Sequence, residues 1–261
     1  MKAAITGYRG FIGKRLLSLC DLSIGIGEEY TKEELYRSLN EFKPNVVFHI
    51  GACSDTLNTD VNYVLETNYI KTKWIADWCY VNNIKLIYAS SAAIYGTDKN
   101  LPSNLYGWSK LLGEDYVINK GGIALRYFNV YGANESHKKD QASPITKFTL
   151  QAKETGVIKL FEGSENIYRD FVCVDDVVQA KIELAFNKMN SGIYNIGTGY
   201  ATAFKNIAET IAKIEGATVE IIPFPKEFKD AYQYWTCADI SKLRDAGVNS
   251  QFRTVGQYLK V

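Results

Sequence analysis

The chain has 261 residues, of which 30 are lysine or arginine and 29 are aspartate or glutamate, so its formal net charge is +1. Apolar residues make up 46% of the chain and charged residues 23%, close to the average of globular proteins. This composition excludes a disordered tail, a collagen and a basic module that binds polyanions. A chain of this length forms one large or two small domains and needs no disulfide bonds to stabilise its core.

Metal, membrane and nucleic-acid functions find little support in the residue types. The five cysteines share no CxxC spacing and the only histidines are His49 and His137, so we expect no metal site. An odd number of scattered thiols fits a reducing cytosol, and we expect a cytoplasmic protein. No apolar run approaches the ~20 residues that cross a bilayer, and the first residues indicate a strand rather than a signal peptide. No basic cluster is interleaved with aromatic residues, so we expect no nucleic-acid partner.

Strands and helices alternate through the first half of the chain. The predicted strands are Met1–Thr6, Leu22–Ile26, Val46–Ile50, Leu86–Ser90 and Ile123–Tyr127. The predicted helices are Phe11–Cys20, a helix capped by Thr31 that runs to Phe42, Asn62–Val81 and Leu105–Ile118. Glu34 completes a capping box with Thr31, and His49 at the end of a buried strand is interpreted as a core histidine. The alternation predicts an α/β fold with a Rossmann-type, doubly wound parallel sheet.

The pattern loosens after Gly132. Predicted helices there are Ala142–Lys153, Asp175–Ala185, Phe204–Glu215 and Ile240–Ala246. Predicted strands are Ile158–Phe161, Val172–Val174, Gly192–Ile196 and Thr218–Ile222. We expect residues 1–132 and 170–198 to form a dinucleotide-binding domain. Residues 133–169 and 199–261 would form a smaller, C-terminal substrate lobe.

A glycine loop, Gly7 to Gly13, lies between the first strand and the first helix. Its spacing is GxxGxxG rather than GxGxxG. Glycines at this place let the backbone approach a pyrophosphate held at a helix N-terminus. A Walker P-loop is excluded, because Tyr8 and Arg15 stand where it needs glycine and Ser/Thr. A tight packing turn is the plainer alternative, but the strand–helix context favours dinucleotide binding.

A second motif, Tyr106-Gly107-Trp108-Ser109-Lys110, lies at the start of a predicted helix. Tyr106 and Lys110 are four residues apart and share a helix face. An ammonium beside the phenol would lower its pKa from ~10, so that it could take a proton from a secondary alcohol while hydride leaves for a nicotinamide. A YxxxK spacing is common and is by itself weak evidence. Its place after the strand that ends near Ser91, whose hydroxyl can bind the same substrate oxygen, strengthens it.

Together the glycine loop, the serine and the YxxxK helix resemble the extended short-chain dehydrogenase/reductase family that acts on nucleotide sugars. The segment Arg126–Gly132 (RYFNVYG) is general to that family. A narrower resemblance, to the members that epimerise ADP-glycero-manno-heptose at C6, rests on further segments: 51–54, 136–138, 142–143, 160–166, 169–172, 222–225, 232–233 and 238–239.

The resemblance implies an NAD(P)-dependent epimerase that oxidises a carbinol of a nucleotide-activated sugar to a ketone and returns the hydride. The implied catalytic residues are Ser91, Tyr106, Lys110 and, as second acid/base, Lys138. The implied cofactor-binding residues are Gly7, Arg9, Gly10, Phe11, Ile12, Gly13, Gly51, Ala52, Cys53, Ser54, Thr67, Tyr106, Lys110 and Val130. The implied substrate-binding residues are Ser91, Asn129, Lys138, Asp140, Lys147, Phe161, Glu162, Gly163, Ser164, Arg169 and Tyr232. The partner would be a nucleotide-diphosphate sugar, and the family resemblance implies a homo-oligomer.

The chain departs from the family between Gly13 and Val46, where one strand and one helix are missing. Leu22–Ile26 could therefore match either the second or the third family strand. Glu28 and Glu29 are candidates for the acidic residue that holds the ribose of NAD. Arg9 is a candidate partner for the 2′-phosphate of NADP, and the balance falls slightly towards NADP.

Three other functions stay open on these residues. A 4-epimerase or reductase of a different nucleotide sugar would use the same catalytic residues. A 4,6-dehydratase is disfavoured, because Ala92 and Ala93 after Ser91 supply no acid for water elimination. The missing strand and helix are compatible with a cofactor-binding module without turnover. For Arg169, the alternative to a phosphate contact is a surface ion pair with Asp170.

Overall fold

The computed structural model of the chain describes residues 1–97, 101–135, 138, 141–187, 191–225 and 233–260. They form two compact units. The first unit comprises Met1–Tyr127, Val178–Asn195 and Ser241–Ser250, and the second comprises Phe128–Val177, Ile196–Ile240 and Gln251–Val261. The division differs from the predicted one: residues 128–132, 170–177 and 196–198 belong to the second unit, and residues 241–250 to the first.

The contacts of two segments account for the different boundaries. The strand Tyr168–Cys173 pairs with Asn129–Tyr131 and Ala201–Ala203 and is not part of the large sheet. Near the C-terminus, Glu183 of the first unit accepts hydrogen bonds from the backbone N–H groups of Asn249 (2.7 Å) and Ser250 (2.9 Å). These contacts place the segment 241–250 with the first unit.

The strands are β1 Lys2–Thr6, β2 Leu22–Ile26, β3 Val46–His49, β4 Lys85–Ser91, β5 Ile123–Tyr127, β6 Asn129–Tyr131, β7 Val157–Phe161, β8 Tyr168–Cys173, β9 Gly192–Ile196, β10 Ala201–Ala203 and β11 Thr218–Ile222. The helices are α1 Phe11–Ser18, α2 Lys32–Phe42, α3 Val61–Leu65, α4 Lys71–Val81, α5 Leu105–Asn119, α6 Pro144–Thr155, α7 Val174–Phe186, α8 Phe204–Glu215, α9 Ser241–Asp245 and α10 Val255–Leu259.

Among the described residues, six strands form the large sheet in the order β2-β1-β3-β4-β5-β9. The pairs β1/β2, β1/β3, β3/β4 and β4/β5 are all parallel, which confirms the predicted fold class. β2 pairs directly with β1, so Leu22–Ile26 occupies the second-strand position of a Rossmann sheet. In the fully described segment 1–97, no strand pairs with the outer edge of β2, where a third strand would lie.

Helices pack on both faces of this sheet. On one face, Leu35 and Leu39 of α2 and Ile75 of α4 pack against Val47 and Tyr88 of the strands. Adjacent strand residues point to opposite faces. The other face therefore carries Phe48, and the side chain of Lys181 from α7 lies over its ring. At the start of α2, Thr31 and Glu34 form the predicted capping box.

The buried His49 has a hydrogen-bond partner on each ring nitrogen. The Thr6 hydroxyl lies 2.7 Å from Nδ1 and the Thr72 hydroxyl 2.8 Å from Nε2. Thr6 Oγ1 also accepts hydrogen bonds from the N–H groups of Ile50 and Gly51, both at 3.1 Å. His49 is therefore the core histidine predicted, and it ties the end of β3 to β1.

The helix predicted over Asn62–Val81 contains a π-helical turn at Glu66–Ile70, between α3 and α4. The turn contains the buried Asn68. Its amide accepts from Cys53 N–H (2.7 Å) and donates to Cys53 O (3.0 Å) and to Ser109 Oγ (2.9 Å). Single π-helical turns are frequent at functional sites. This one fixes the loop after β3 to helix α5.

The second unit contains a three-stranded sheet, β10-β8-β6, and the parallel pair β7/β11. Its core includes Phe148 of α6, Leu160 of β7, Phe171 of β8 and Ile211 of α8. The short elements β6, β10 and α10 were not predicted, and β8 begins at Tyr168 rather than at Val172. Elements of three to five residues are too short to show a hydrophobic period.

All five cysteines are free thiols. Within the described ranges, no three histidine, cysteine, aspartate or glutamate side chains are grouped so that they could hold a metal ion. In the same ranges, no helix has both the length and the apolar character needed to span a membrane.

Candidate active site

The glycine loop of the first unit brings two chain segments into contact. Gly7 has φ +65°, and a Cβ there would lie 2.6 Å from the Cα of Gly51 in the loop after β3. A Cβ on Gly13 would overlap the carbonyl oxygen of Gly7. The Gly10 N–H donates to Gly7 O at 3.0 Å and closes the turn. Side chains at positions 7 and 13 would therefore break the loop, and glycine is required there.

The first turn of α1 follows this loop directly. Gly10 is its N-cap, no side chain caps the helix, and its first turn has no acidic residue. Backbone N–H groups at such a helix start, together with the helix dipole, bind anions. The loop and α1 therefore fit the pyrophosphate of a dinucleotide.

A cavity of about 430 Å³ lies between this loop and the end of β2. It is lined by Gly7, Tyr8, Arg9, Ile26, Gly27, Glu28 and Glu29. Both candidate acids and the candidate arginine thus meet at one place. Arg9 donates from Nε to the Tyr8 hydroxyl at 2.9 Å, and its guanidinium lies 5.2 Å from the centre of that ring.

Ser91 and Tyr106 meet at the end of β4. The Ser91 hydroxyl accepts a hydrogen bond from the Ala93 N–H at 3.1 Å, and it is also hydrogen-bonded to the phenolic oxygen of Tyr106. Tyr106 is in the first turn of α5, which is capped by Asn104. A Cβ on Gly107 would lie 2.9 Å from Ala93 O, so this glycine lets α5 approach the turn that follows Ser91.

Lys110 lies one turn further along α5, and it is 3% exposed. Its Nζ donates to Ala89 O at 2.7 Å and lies 6.0 Å from the centre of the Tyr106 ring. Burial lowers the pKa of Lys110 to about 7. The structure thus brings Ser91, Tyr106 and Lys110 together, as the YxxxK spacing predicts.

The expectation that Lys110 lowers the pKa of Tyr106 is wrong for this arrangement. Burial, which removes water from the phenolate, raises the pKa of Tyr106 by more than the hydrogen bond from Ser91 lowers it. The Lys110 amine donates to a backbone carbonyl instead of to the phenolic oxygen. Since its own pKa falls to about 7, only part of its charge is present at neutral pH.

A buried ion pair between Glu114 and Arg126 lies next to this site. The Glu114 carboxylate, 1% exposed, accepts two hydrogen bonds from Arg126 Nε, at 2.9 and 3.2 Å, and one from Nη2 at 2.5 Å. It also accepts from the Ser90 hydroxyl at 2.6 Å. The pair joins α5, β4 and β5 at the level of Ser91. Sequence reasoning missed Glu114, although its spacing of four residues from Lys110 is a usable signal.

The other predicted cofactor residues divide between the units. Gly51, Ala52, Cys53 and Ser54 follow β3, and Thr67 is in the π-helical turn. Phe11 and Ile12 begin α1. Val130 is half-buried in β6 of the second unit.

In the second unit, four predicted substrate residues follow one another at the end of β7. Phe161 is 39% exposed and packs edge-on against Phe224, with ring centres 5.5 Å apart. The Glu162 N–H donates to Ile222 O at 2.8 Å. Gly163 has φ +83°, and Ser164 is buried with no hydrogen-bond partner for its hydroxyl among the described residues. A substrate group could satisfy that hydroxyl.

Arg169, on β8, is 8% exposed; its Nη1 donates to Tyr168 O at 2.9 Å. The alternative of an ion pair with Asp170 is wrong. The Asp170 carboxylate instead accepts from the N–H groups of Thr198 (2.8 Å), Gly199 (2.9 Å) and Ala238 (3.1 Å).

Three further predicted substrate residues are described. The Asn129 amide donates to Asp170 O at 3.3 Å and approaches Thr236 Oγ1 at 3.5 Å. Lys138 pairs with Glu135, and Lys147 is half-buried on α6. Asp140 and Tyr232 lie outside the described residues.

Comparisons with known proteins show to which family the chain belongs. A profile of the NAD dependent epimerase/dehydratase family matches residues 27–197. A protein of Brachyspira hyodysenteriae called ADP-L-glycero-D-manno-heptose-6-epimerase is 39% identical over 251 residues, which cover 89% of this chain and 79% of that protein. A protein of the same description from Alkalilimnicola ehrlichii is 37% identical over 93% of this chain and 83% of its own length.

Solved structures show the same fold. The crystal structure of the Helicobacter pylori ADP-L-glycero-D-manno-heptose-6-epimerase has a TM-score of 0.85 and 26% identity, covering 99% of this chain and 94% of its own. UDP-glucose 4-epimerase from Thermus thermophilus, solved with NAD, has a TM-score of 0.81 at 23% identity, covering 96% and 94%. This second likeness is one of fold alone.

Proposed function

The chain belongs to the NAD dependent epimerase/dehydratase family, and we propose that it epimerises an ADP-glycero-manno-heptose at C6. The proposal rests on the contact between Ser91 and Tyr106, with Lys110 one helical turn from Tyr106. All three residues belong to the unit that contains the glycine loop. The two heptose epimerases at 37–39% identity support the choice of sugar.

The residues of the first unit fit a dinucleotide. Gly7, Gly10 and Gly13 would receive the pyrophosphate at the start of α1, and the cavity at the end of β2 would receive the adenosine. When bound, the nicotinamide supplies a hydride acceptor and, in its oxidised form, a positive charge that favours the phenolate of Tyr106.

We propose NAD rather than NADP. β2 is in the second-strand position, and this strand's end is where dinucleotide-binding sheets carry the acid that binds the adenosine ribose. Glu28 and Glu29 line the cavity at that point, and their charge opposes a 2′-phosphate. Arg9, the candidate partner for the 2′-phosphate of NADP, donates to the Tyr8 hydroxyl.

Tyr106 would take the proton of a sugar hydroxyl while a hydride leaves the carbon that bears this hydroxyl. The loss of both converts the carbinol to a ketone. The Ser91 hydroxyl would hold the reacting oxygen and stabilise the phenolate by donating to it. Lys110, anchored on Ala89 O, would keep α5 in place and add positive charge near the phenol. Lys110 is buried, and Ser91 and Tyr106 are half-buried, so reduced contact with water strengthens these interactions.

Lys138 would be the second acid/base. Epimerisation requires the hydride to return to the opposite face of the ketone, and the oxygen then receives its proton from a group other than the one that removed it. Asn129 and Lys147 would contact the sugar. Phe161, Glu162, Gly163, Ser164 and Arg169 would hold the nucleotide diphosphate, to which the fork of a guanidinium is suited. The cytoplasmic location and the homo-oligomer stay predictions.

The test is incubation of the purified enzyme with ADP-D-glycero-D-manno-heptose and determination of the C6 configuration by NMR. We expect interconversion of the two C6 epimers without net consumption of cofactor. UDP-glucose, assayed in parallel, tests the alternative of a 4-epimerase. Absence of turnover with either sugar, in a protein that still binds NAD, would instead indicate a cofactor-binding module without turnover.

A further inference from the structure

Glu135, in the loop after β6, is a buried carboxylate that none of the roles above includes. It is 1% exposed, and the described residues that donate to it belong to its own unit. Burying a carboxylate is costly unless each of its oxygens has a hydrogen-bond donor. The partners of Glu135 therefore indicate why it is buried.

Donors from α6 and from the loop satisfy both oxygens. Oε1 accepts from the Ser143 N–H at 3.0 Å and from the Lys138 ammonium at 3.1 Å. Oε2 accepts from the hydroxyls of Ser143 and Thr146, both at 2.7 Å. Ser143 is also the N-cap of the twelve-residue helix α6, whose dipole favours a negative charge at this end. The carboxylate is thereby fixed to a rigid element.

Lys138 is bound to Glu135 twice. Its backbone N–H donates to the backbone carbonyl of Glu135 at 3.0 Å, and its ammonium donates to the carboxylate oxygen Oε1 at 3.1 Å. The Lys138 side chain remains 27% exposed, so it is not enclosed in the core as the carboxylate of Glu135 is. A lysine has a flexible four-carbon stem, and both contacts restrict where its Nζ can go.

We propose that Glu135 is a positioning residue for the reaction. Because Glu135 is bound to the N-terminus of α6, it holds the Lys138 ammonium at the place where Lys138 exchanges its proton with the sugar. This inference rests on the proposed function, in which Lys138 is the second acid/base. A misplacement of about 1 Å in a reacting group can cost on the order of 100-fold in rate. A loop lysine without such a support would spend little time in one place.

The first test is a cycle of Glu135→Gln, Lys138→Ala and the double variant, with kcat and KM for the heptose epimerisation. Gln keeps the size of the side chain and removes its charge. We expect Glu135→Gln to lower kcat by about 10- to 100-fold with little change in KM, and Lys138→Ala to lower kcat by about 100- to 10,000-fold. The double variant should lose no more than Lys138→Ala alone, because Glu135 acts through Lys138.

Glu183→Gln is the matched control. Glu183 also holds a loop, through the N–H groups of Asn249 and Ser250 and the Ser250 hydroxyl, but it contacts no lysine in the contacts described above. A general loss of loop order would lower the activity of both glutamine variants. We expect Glu183→Gln to keep the wild-type kcat.

If Glu135→Gln does not fold, two other variants test the inference: Glu135→Asp, and the double variant Ser143→Ala, Thr146→Val. Each changes the hydrogen bonds that hold the carboxylate but keeps its charge. Each should lower kcat, though by less than the about 10- to 100-fold expected for Glu135→Gln. A wild-type kcat in all Glu135 variants, with Lys138→Ala impaired, would overturn the inference alone. Additive losses in the cycle would likewise overturn it. A wild type that does not epimerise the heptose would overturn the proposed function.

Discussion

The Ser91 hydroxyl accepts a hydrogen bond from the Ala93 N–H at 3.1 Å and is also hydrogen-bonded to the phenolic oxygen of Tyr106. Once the phenol has lost its proton, its oxygen can only accept, so Ser91 is then the donor. A donor to the phenolic oxygen favours the phenolate, so Ser91 lowers the pKa of Tyr106 against the larger effect of burial. In the proposed reaction Ser91 would therefore act on the base as well as on the substrate.

Loss of either residue should impair proton transfer. We expect Tyr106→Phe to lower kcat by about 100- to 10,000-fold, because the variant has no proton acceptor at this place. Ser91→Ala raises the pKa of Tyr106, so the rise of kcat/KM with pH should move to higher pH, while Ser91→Thr should keep the wild-type profile. An unchanged pH profile in Ser91→Ala would contradict the hydrogen bond to Tyr106. Titration of NAD into each variant checks that cofactor binding is retained.

Cofactor binding should depend on Gly13. A Cβ at position 13 overlaps the carbonyl of Gly7. We expect Gly13→Ala to weaken NAD binding by at least about 10-fold, equivalent to 1.4 kcal/mol. Isothermal titration of NAD into the variant and into the wild type measures the difference. Equal affinities would show that the loop does not receive the pyrophosphate.

The acids at the end of β2 should determine the choice between NAD and NADP. The wild type should bind NAD at least about 10-fold more tightly than NADP, because a carboxylate repels the 2′-phosphate. Replacing both Glu28 and Glu29 by alanine should reduce this ratio. Arg9→Ala is the opposing control. If it weakens NADP selectively and NADP binds better to the wild type, the preference for NAD is wrong.

Lys181 should make the stability of the first unit depend on pH. Its side chain is fully buried, its Nζ has no hydrogen-bond partner among the described residues, and burial lowers its pKa to about 7 from its usual 10.5. Between these two pH values the unfolded chain binds the proton that the folded chain releases, so stability rises with pH across this window. Below pH 7 the folded protein holds a buried, unpaired ammonium.

We therefore expect Lys181→Met to raise the free energy of unfolding by roughly 1–4 kcal/mol at pH 6 and by less as the pH approaches 10. A smaller slope remains, because the pKa of Lys110 is lowered to about 7 as well. Lys85→Met is the control: its Nζ donates to the carbonyls of Leu184, Ala185 and Asn187, so its loss should destabilise the protein. Thermal unfolding between pH 6 and 10 tests both; a destabilised Lys181→Met would contradict the argument.

The sequence predicted the elements that local signals define. Thr31 and Glu34 marked the start of α2, and the alternation of apolar strands with helices gave the confirmed fold class. The resemblance to the family was confirmed by the matched profile and by the relatives. The pairing of β2 with β1 could not be predicted, because the residues of a strand do not determine which strand lies next to it in the sheet.

Contacts between residues far apart in the sequence could not be predicted. Asn68 in the π-helical turn forms hydrogen bonds with Cys53 and Ser109, which are 15 and 41 positions away. The pKa of Tyr106 was predicted in the wrong direction, because spacing gives the lysine's proximity but not the burial of the phenol. Glu135 looks like a solvated loop charge until Ser143 and Thr146 are seen around it.

Among the described residues, β2 is an edge strand of the large sheet. The strands that position Ser91, β3 and β4, lie on the other side of β1. A strand and a helix beyond β2 would therefore lie far, in the order of the sheet, from the groups that would move protons in the proposed function. In that function the edge at β2 is on the adenosine side of the cofactor, and this chain indicates a place where longer relatives could be shortened by design.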